Sequence, residues 1–531
     1  MLLWVLLLGP TFRVNDITKA ITSLKPGKSD AQGSFTSDNL INACGELFVH
    51  SAFLFNDMLS HVYTPRGMLM STLVPIPKDR KKSMHDSDNY RSIALSSVIG
   101  KVFDKIILLK HADALATSPL QFGFKQSHST TQCTFVLEEI IDHYVSRNSS
   151  VYCVLLDASK AFDRVQYVKL FDLLVDRGLC PMLCLLLIAM YTEQHLLVRW
   201  NNVFSPSMRC LNGVKQGGVL SPTLFCIYMD ELLKRLRDTG IGCHFGSMFA
   251  GALCYADDLT LLAPTRNAMQ KMILICETFA NEFCVKFNPT KSMFLVFDNS
   301  THCQSAGVCL MGSPIRQVQS ALHLGVVIGE NAFVQNIRRA VCDMYSRTNV
   351  LMSRFGYCSS QVICKLFHSY CCHFYGSPIW FIDPLSIVQL VVAWRKCCRR
   401  VLKLPSRTRS RFIPALMHVP NLSVQLLGRF LKFWKKCTVS ENPLVKLISE
   451  QLNDFRKSNT SISFNLKHLL SFCKVSHFSF VSSLPRNFLS PYFSLSDEDV
   501  AIVGGIEELS FEMLNLSYLD RVLFRNSLAV T

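Results

Sequence analysis

Residues 253–263, LCYADDLTLLA, place two adjacent carboxylates in the middle of an otherwise apolar run. Burying an unpaired carboxylate is costly, so Asp257 and Asp258 must either stay in contact with water or meet positive charge. Because short β-prone runs flank them, the pattern predicts a β-hairpin with the two acids at its turn. Two interpretations of this hairpin remain open: a solvated turn without chemical consequence, or a metal site.

Length and charge limit the class of protein. The chain has 531 residues, of which 49% are hydrophobic, enough for several packed regions and a substantial core. The 55 Lys and Arg exceed the 39 Asp and Glu, for a formal charge of +16. Such an excess is common among proteins that bind phosphate backbones. The 22 cysteines form no CxxC pair, so we expect reduced thiols in the cytosol or nucleus.

The apolar segments do not predict a membrane protein. The first ten residues, MLLWVLLLGP, lack the basic start and the small-residue cleavage site of a secretory signal, and we interpret them as the edge of a truncated reading frame. The run CPMLCLLLIAMY at 180–191 is too short to span a bilayer. It predicts a buried helix, followed by a strand at HLLVRW.

Composition changes along the chain predict an α/β (α+β) protein of five segments. These are a helical N-terminal extension at 1–64, a region with a basic hairpin at 65–150, a mixed α/β section at 151–330, a basic helical section at 331–440 and a C-terminal region without an assignable role at 441–531. The chemically informative residues concentrate in the mixed section.

A third acid ends an apolar strand-like run, VYCVLLD, at residues 151–157. A strand that ends on Asp157 presents its carboxylate at the rim of a sheet. If the YADD hairpin lies nearby, Asp157 and Asp257 could hold two Mg²⁺ ions about 4 Å apart. Taken alone, Asp157 fits equally well as the N-cap of a helix beginning in ASKAF.

The segment LNGVKQGGVLSP at 211–222 predicts a loop that leads into a helix. Gly217 and Gly218 permit close backbone approach, and Gln216 would then contact a substrate or template. An ordinary Gly-Gly turn before an amphipathic helix explains the segment alone about as well.

Between Asp383 and Glu441 the chain contains no acid. Within this interval, WRKCCRRVLKLPSRTRSRF and GRFLKFWKK interleave Lys and Arg with Trp and Phe. A solvated basic face is the usual explanation of such a run, but the length and the aromatics favour a nucleic-acid track. The predicted phosphate-binding residues are Arg395, Lys396, Arg399, Arg400, Lys403, Arg407, Arg409 and Arg411.

The order of these segments is more specific than any one of them. Asp-x₄-Phe-Asp, GVKQGGVLSP, YADD, NPTKSMFLVF and HLGVVIG follow one another, preceded by LVPIPKDRKKSMHDSDNYRSIAL and QFGFKQSHSTTQ. This series resembles the reverse transcriptases of LINE-type (non-LTR) retrotransposons over residues 16–330, and less closely to about 440. The resemblance implies a right-hand polymerase with fingers at 65–150, palm at 151–330 and thumb at 331–440. Its implied activity is RNA-directed DNA synthesis, in which dNTPs are added to a primer 3′-OH on an RNA template by two-metal nucleotidyl transfer.

The same resemblance implies roles for individual residues. Asp157 and Asp257 would bind the catalytic Mg²⁺ or Mn²⁺ ions, and Asp258 would complete the acidic set. Phe162 would exclude a ribose 2′-OH, although a core aromatic is also compatible with its position. The remaining assignments are Tyr255 and Ala256 beside the primer end, Arg91 and Lys78 on the triphosphate, Gln216 and Gly217 under the nucleotide, Lys291 near the pyrophosphate, and Leu324 and Gly325 as primer grip. Alone, Arg91 and Lys78 would more often be surface residues, and an ordinary strand-edge lysine would explain Lys291 equally well.

The implied partners are an RNA template, a DNA primer or target, and dNTPs, in a ribonucleoprotein of the nucleus or cytoplasm. Relatives usually carry an endonuclease domain, and neither this domain nor a CCHC zinc knuckle is recognisable in the sequence. We therefore expect the polymerase section of a longer element, or a degraded or domesticated copy, with any endonuclease or element-encoded RNA-binding protein supplied elsewhere. Two other interpretations remain open, a group II intron-like maturase and a non-catalytic RNA-binding remnant.

Overall fold

The computed structural model describes residues 11–30, 35–298, 307–452 and 460–472. The apolar first ten residues and most of the predicted C-terminal region lie outside the described residues. The chain divides into two compact units. The first contains the described residues of 1–128, 150–294 and 300–317, and the second contains those of 129–149, 295–299 and 318–531.

Helices occur throughout the described part of the chain. In chain order, the α-helices are α1 (Val14–Thr22), α2 (Ser37–Ile41), α3 (Gly45–His61), α4 (Arg66–Leu69), α5 (Val98–Lys110), α6 (Thr130–Val145), α7 (Tyr167–Asp176), α8 (Pro181–Thr192), α9 (Ser221–Asp238), α10 (Arg266–Glu282), α11 (Ala332–Phe355), α12 (Ser360–Leu366), α13 (Val388–Val401), α14 (Ile413–Leu416), α15 (Leu422–Thr438), α16 (Pro443–Leu452) and α17 (Ser461–Phe472). Short 3₁₀ or π turns occupy Ser87–Asn89, Phe162–Arg164, Phe367–Cys371, Ser377–Ile379 and Ser410–Phe412.

The strands are mostly short. They are β1 (Met70–Pro77), β2 (Tyr90–Ser96), β3 (Val151–Asp157), β4 (His195–Trp200), β5 (Val203–Phe204), β6 (Met208–Arg209), β7 (His244–Phe245), β8 (Met248–Phe249), β9 (Ala252–Tyr255), β10 (Asp258–Ala263), β11 (Met293–Phe297), β12 (Cys309–Leu310), β13 (Ser313–Pro314), β14 (Arg316–Gln317), β15 (Ser320–His323) and β16 (Val326–Gly329).

The predicted basic hairpin is present in the first unit. Strands β1 and β2 pair antiparallel from Ser71↔Ser96 to Pro77↔Tyr90. Strand β4 joins β1 in parallel, which confirms the strand predicted at HLLVRW. The loop between β1 and β2 carries the exposed side chains of Arg80, Lys81 and Lys82.

A second sheet of the first unit has the strand order β14-β11-β3-β10-β9. Strand β10 lies antiparallel to both β3 and β9. Helices α9 and α10 pack against these strands. Helix α9 is buried along most of its length, including Leu224, Phe225 and Tyr228, because strands and helices surround it. This sheet with its two helices forms the core on which the candidate site is built.

The apolar run at 180–191 forms the helix that the sequence predicted. Helix α8 begins at Pro181, a residue suited to the first turn because no N–H is needed there. Leu183, Leu186 and Leu187 are buried. Among the described residues, no helix combines the length and the apolar character that a bilayer crossing requires.

The second unit is mainly helical, and its core corrects one sequence-based expectation. Trp394, Phe430, Phe433 and Trp434, from the acid-free interval, are buried in this core. They therefore cannot stack on nucleic-acid bases, and the aromatic part of the nucleic-acid interpretation is wrong. The reason is amphipathic spacing: Trp394 shares one face of α13 with other buried residues three, four and seven positions further on, namely Cys397, Cys398 and Val401.

Candidate active site

The YADD segment forms the predicted hairpin. Strand β9 ends at Tyr255, β10 begins at Asp258, and these two residues pair across a two-residue turn of Ala256 and Asp257. Ala256 has φ of 60°, in the left-handed region that residues with a Cβ seldom occupy. Such a conformation costs of order 1–3 kcal/mol and persists only where neighbouring structure holds it. The position of Asp257 thus depends on what holds the turn.

Strand register brings Asp157 to this hairpin. Asp157, the last residue of β3, pairs with Asp258, the first residue of β10. The backbone N–H of Asp157 donates to Ser292 Oγ over 3.2 Å, and its carbonyl accepts from the N–H of Asn288 over 2.9 Å. The structure therefore places the three predicted acids at one edge of the sheet, next to the NPTKS turn.

Burial and neighbouring charge raise the pKa values of two of the three acids. Burial, together with the neighbouring charge of Asp157, raises the pKa of Asp257, while Arg91 acts in the opposite direction. Desolvation by the surrounding protein and the charges of Asp257 and Asp157 raise the pKa of Asp258 to about 6. Lys291 Nζ lies 4.0 Å from Asp157 Oδ2, on a side chain that is 65% exposed. Three carboxylates against the two cations Arg91 and Lys291 leave the site with excess negative charge.

This excess charge and the all-oxygen donor set fit a divalent cation. In the described part of the chain, no group of three or more His, Cys, Asp or Glu side chains is arranged to hold a metal ion. Mg²⁺ does not require such a group, since it usually binds through one or two carboxylates and takes its other ligands from water and substrate phosphates. The residues present therefore fit ions that are bound together with a substrate.

Phe162 lies in the 3₁₀ turn that follows β3. Its ring stacks on the buried Phe225 of α9, with centroids 4.5 Å apart and an interplanar angle of 15°. Phe124 meets the ring edge-on at 6.2 Å. Since Phe162 is only half-buried, one part of the ring is fixed by the core and another part faces solvent. Phe162 is thus packed as a core aromatic on one side and accessible on the other.

The GVKQGG loop packs against strand β2. The Gln216 carbonyl accepts from the N–H of Ala94 over 2.6 Å. Gly217 has φ of 107°, and a Cβ on it would lie 2.9 Å from the Ala94 carbonyl oxygen. A side chain at this position would be strained and would collide with β2, so glycine is required here.

Sequence reasoning missed a residue that supports this loop, Asp104 on α5. Its carboxylate accepts from the N–H of Leu220 over 3.3 Å, immediately before α9 begins. Burial raises the pKa of Asp104 to about 6, against the opposing charge of Lys215 in the loop. In the sequence, the role of Asp104 is indicated by an acid within the apolar run VFDKIILL. An acid on the solvated face of a helix would explain this pattern equally well.

The two predicted triphosphate cations differ in their surroundings. Arg91, on β2, is exposed, and its charge acts on Asp257. Lys78 follows β1, and its Nζ donates to the carbonyl of Asp88 within the same basic hairpin over 2.8 Å. The structure thus associates Arg91 with the acids, whereas Lys78 contacts its own hairpin.

The predicted primer grip belongs to the second unit. Leu324 and Gly325 form the turn between β15 and β16, with φ of 45° and 82°. A Cβ on Gly325 would lie 2.7 Å from the ring of Tyr375. Positive φ at both residues is typical of a type I′ turn, and the contact with Tyr375 explains the glycine.

The predicted phosphate-binding residues of the second unit fall into two groups. Arg399 is half-buried, and its guanidinium donates to the Thr408 carbonyl and to Ser410 Oγ, so it closes the loop that follows α13. Arg395 is also half-buried. The exposed members are Lys396, Arg400, Lys403, Arg407, Arg409 and Arg411.

Part of the chain matches a known protein family. Residues 76–328 match the family model described as reverse transcriptase (RNA-dependent DNA polymerase). This range contains every predicted active-site residue from Lys78 to Gly325.

Several curated relatives come from mobile elements. The RNA-directed DNA polymerase from mobile element jockey of Drosophila melanogaster is 25% identical over 412 residues, 74% of this chain and 44% of that protein. Its counterpart from Drosophila funebris is 21% identical over 82% of this chain and 48% of that protein. The retrovirus-related Pol polyprotein from type-1 retrotransposable element R2 of Nasonia vitripennis is 28% identical over 52% of this chain and 26% of that protein.

The matched part of this chain thus spans between about a quarter and about half the length of these relatives. The family model matches the segment in which the structure places the three acids, the glycine loop and Phe162. The relatives are polymerases of non-LTR elements, the group whose motif order the sequence resembles. Over residues 76–328 the chain is therefore similar to reverse transcriptases, and the relatives that it matches are those of LINE-type (non-LTR) retrotransposons.

Proposed function

We propose that this chain is an active RNA-directed DNA polymerase that adds dNTPs to a primer 3′-OH on an RNA template. The observation that carries the proposal is the meeting of Asp157, Asp257 and Asp258 at one sheet edge, where burial and neighbouring charge raise the pKa values of Asp257 and Asp258. A remnant that only binds RNA has no use for three carboxylates that repel each other and would repel a phosphate backbone.

Asp157 and Asp257 would hold two Mg²⁺ ions, with Asp258 beside them, and Mn²⁺ is a chemically reasonable substitute. Divalent ions bound there neutralise charge on the attacking and leaving oxygens of an in-line displacement. The chain's own cations act around the acids: Arg91 binds the triphosphate, and Lys291 donates a proton to the departing pyrophosphate as general acid. The mutual repulsion of the acids favours this arrangement because it makes the site a strong attractor of cations.

Other residues shape the nucleotide pocket and the nucleic-acid track. Gln216 and Gly217 support the incoming nucleotide, and the half-buried ring of Phe162 excludes a 2′-OH. Tyr255 and Ala256 lie beside the primer end, and the turn of Leu324 and Gly325 contacts the primer. The exposed cations of the second unit bind phosphates of the primer–template duplex, and the working assembly is a ribonucleoprotein in the nucleus or cytoplasm.

Primer extension tests this proposal. The purified chain is given an RNA template with an annealed DNA primer, Mg²⁺ and dNTPs. We expect extension that depends on the template and is abolished by a metal chelator. Duplex binding without any extension, in Mg²⁺ and in Mn²⁺, would instead identify an RNA-binding remnant.

We expect cation binding to the acids to weaken with falling pH. A proton competes with a metal for each carboxylate, and the pKa of Asp258 is raised to about 6 while that of Asp257 is also raised. Mn²⁺ affinity, measured by calorimetry, should therefore decrease from about pH 7.5 to about pH 5.5, where ordinary carboxylates stay charged. In the metal-free protein, the stability of the fold changes with pH in the opposite direction. Carboxyls whose pKa is raised on folding contribute stability at low pH, and this contribution is lost as the pH rises through the raised pKa. An Mn²⁺ affinity that is constant over this pH range would contradict the assignment.

Binding of a primer–template duplex should weaken steeply with salt. If Lys396, Arg400, Lys403, Arg407, Arg409 and Arg411 each neutralise one phosphate, affinity should fall about 10³-fold between about 50 mM and about 200 mM salt. Arg407→Gln should reduce the logarithmic salt slope by about one, whereas Lys271→Gln, an exposed cation on α10, should leave it unchanged. Equal slopes for wild type and Arg407→Gln would show that Arg407 does not contact phosphate.

A further inference from the structure

A buried glutamine contacts the turn that carries Asp257. Gln121, in the QFGFK segment, is 0% exposed. The segment runs beside β9: the N–H of Phe122 donates to the Cys254 carbonyl over 2.7 Å, and the N–H of Cys254 donates to the Leu120 carbonyl over 2.9 Å. Gln121 therefore lies directly under the catalytic hairpin.

The carboxamide oxygen of Gln121 holds the turn. It accepts from the backbone N–H of Ala256 over 2.9 Å and from that of Gly123 over 2.8 Å. Two N–H donors can be satisfied only by the oxygen, so they fix the orientation of the carboxamide. Among the described residues, the buried Nε2 atom of Gln121 has no hydrogen-bond partner. An unpaired buried N–H lowers the stability of the folded protein. The favourable polar interactions of the Gln121 side chain are therefore the two hydrogen bonds that its oxygen accepts.

The support beneath Gln121 is firm. A Cβ on Gly123 would lie 2.3 Å from the Ala256 nitrogen, so the two backbones are in close contact. The segment is tied to α9 by the N–H of Ser118, which donates to Asp230 Oδ1 over 2.8 Å. Lys125 Nζ closes the segment on itself by donating to the Ser118 carbonyl over 2.6 Å. The backbone that carries Gln121 is therefore held in place by contacts with the core.

We propose that Gln121 is a positioning residue for nucleotidyl transfer. Its carboxamide oxygen accepts from the N–H of Ala256, keeps this residue in the left-handed conformation and thereby fixes the position of Asp257. The proposal rests on the proposed polymerase function. Ala256 precedes Asp257 directly, so a change in its backbone conformation moves the Asp257 carboxylate relative to Asp157. Displacement of a reacting group by about 1 Å can cost about 100-fold in rate.

Steady-state kinetics of single-nucleotide addition test this role. Gln121→Met keeps the length and bulk of the side chain but removes the acceptor, and we expect kcat to fall about 100-fold while KM for dNTP and duplex affinity stay within about twofold. Gln121→Glu keeps an oxygen at the same place and should retain kcat within about tenfold. Gln194→Met is the matched control, because Gln194 is also buried in this unit with an unpaired Nε2, and it should leave kcat unchanged.

A readout that needs no activity separates this proposal from the proposed function. Amide hydrogen exchange at Ala256 should be slow in wild type and in Gln194→Met, and clearly faster in Gln121→Met. If wild type extends no primer, the proposed function fails, while the exchange rates still decide whether Gln121 holds the turn. The positioning role would be overturned if Gln121→Met kept the wild-type kcat or the wild-type exchange rate at Ala256. It would also be overturned if Gln121→Glu or Gln194→Met lost as much kcat as Gln121→Met.

Discussion

Asp257→Asn should abolish nucleotide addition and leave duplex binding nearly intact. Asparagine keeps the size of the side chain but removes the charge that a divalent ion requires, so the transition state loses its electrostatic stabilisation. We expect kcat to fall by at least about 10³-fold, with the dissociation constant of the primer–template duplex unchanged within about twofold. Single-turnover extension and a duplex-binding assay, performed on the same preparation, measure the two quantities.

The structure adds a second expectation for this variant. Because burial and the charge of Asp157 raise the pKa of Asp257, its charged form is unfavourable in the metal-free protein. Asp257→Asn should therefore unfold at the same or a higher temperature than wild type at neutral pH. Asp172→Asn, an exposed acid on α7, serves as the control and should change neither activity nor stability. An equal loss of duplex binding and of extension in Asp257→Asn would show that the residue is structural.

Phe162→Ala should increase the use of rNTPs. The ring is held against Phe225 at 4.5 Å and presents its other part to solvent, so its removal opens space beside the position of the sugar. We expect the ratio of kcat/KM for dNTP over rNTP to fall roughly 10- to 200-fold, the range over which pockets discriminate on one small group. Competitive extension with a matched dNTP and rNTP pair measures this ratio.

Two further variants separate a steric gate from a packing defect. Phe162→Tyr keeps the ring and should keep the discrimination. Phe225→Leu removes the ring on which Phe162 stacks, and we expect a smaller loss of discrimination because Phe162 gains freedom to move aside. If Phe162→Ala retained full discrimination while remaining active, another residue would have to exclude the 2′-OH.

Much of the fold was predictable because the hydrophobic periodicities are strong. Alternation and turn residues located the YADD hairpin and the basic β1–β2 hairpin, and apolar runs located β3 and α8. The aromatic residues of the acid-free interval between Asp383 and Glu441 were predicted less well. A periodic pattern of Trp, Phe and Lys is compatible with both a core face and a binding face, and only packing shows that Trp394 and Trp434 point inward.

The sequence by itself determined which chemical groups the chain carries, their order and the family that it resembles, because motif spacing is a property of the chain. The tertiary structure decided which of those groups meet. Strand register places Asp157 opposite Asp258, across about a hundred residues of intervening chain. The tertiary structure also brings Gln121 to Ala256 and Asp104 to the GVKQGG loop, where buried polar atoms form hydrogen bonds. Such pairings depend on non-local contacts, which local patterns of side chains do not encode.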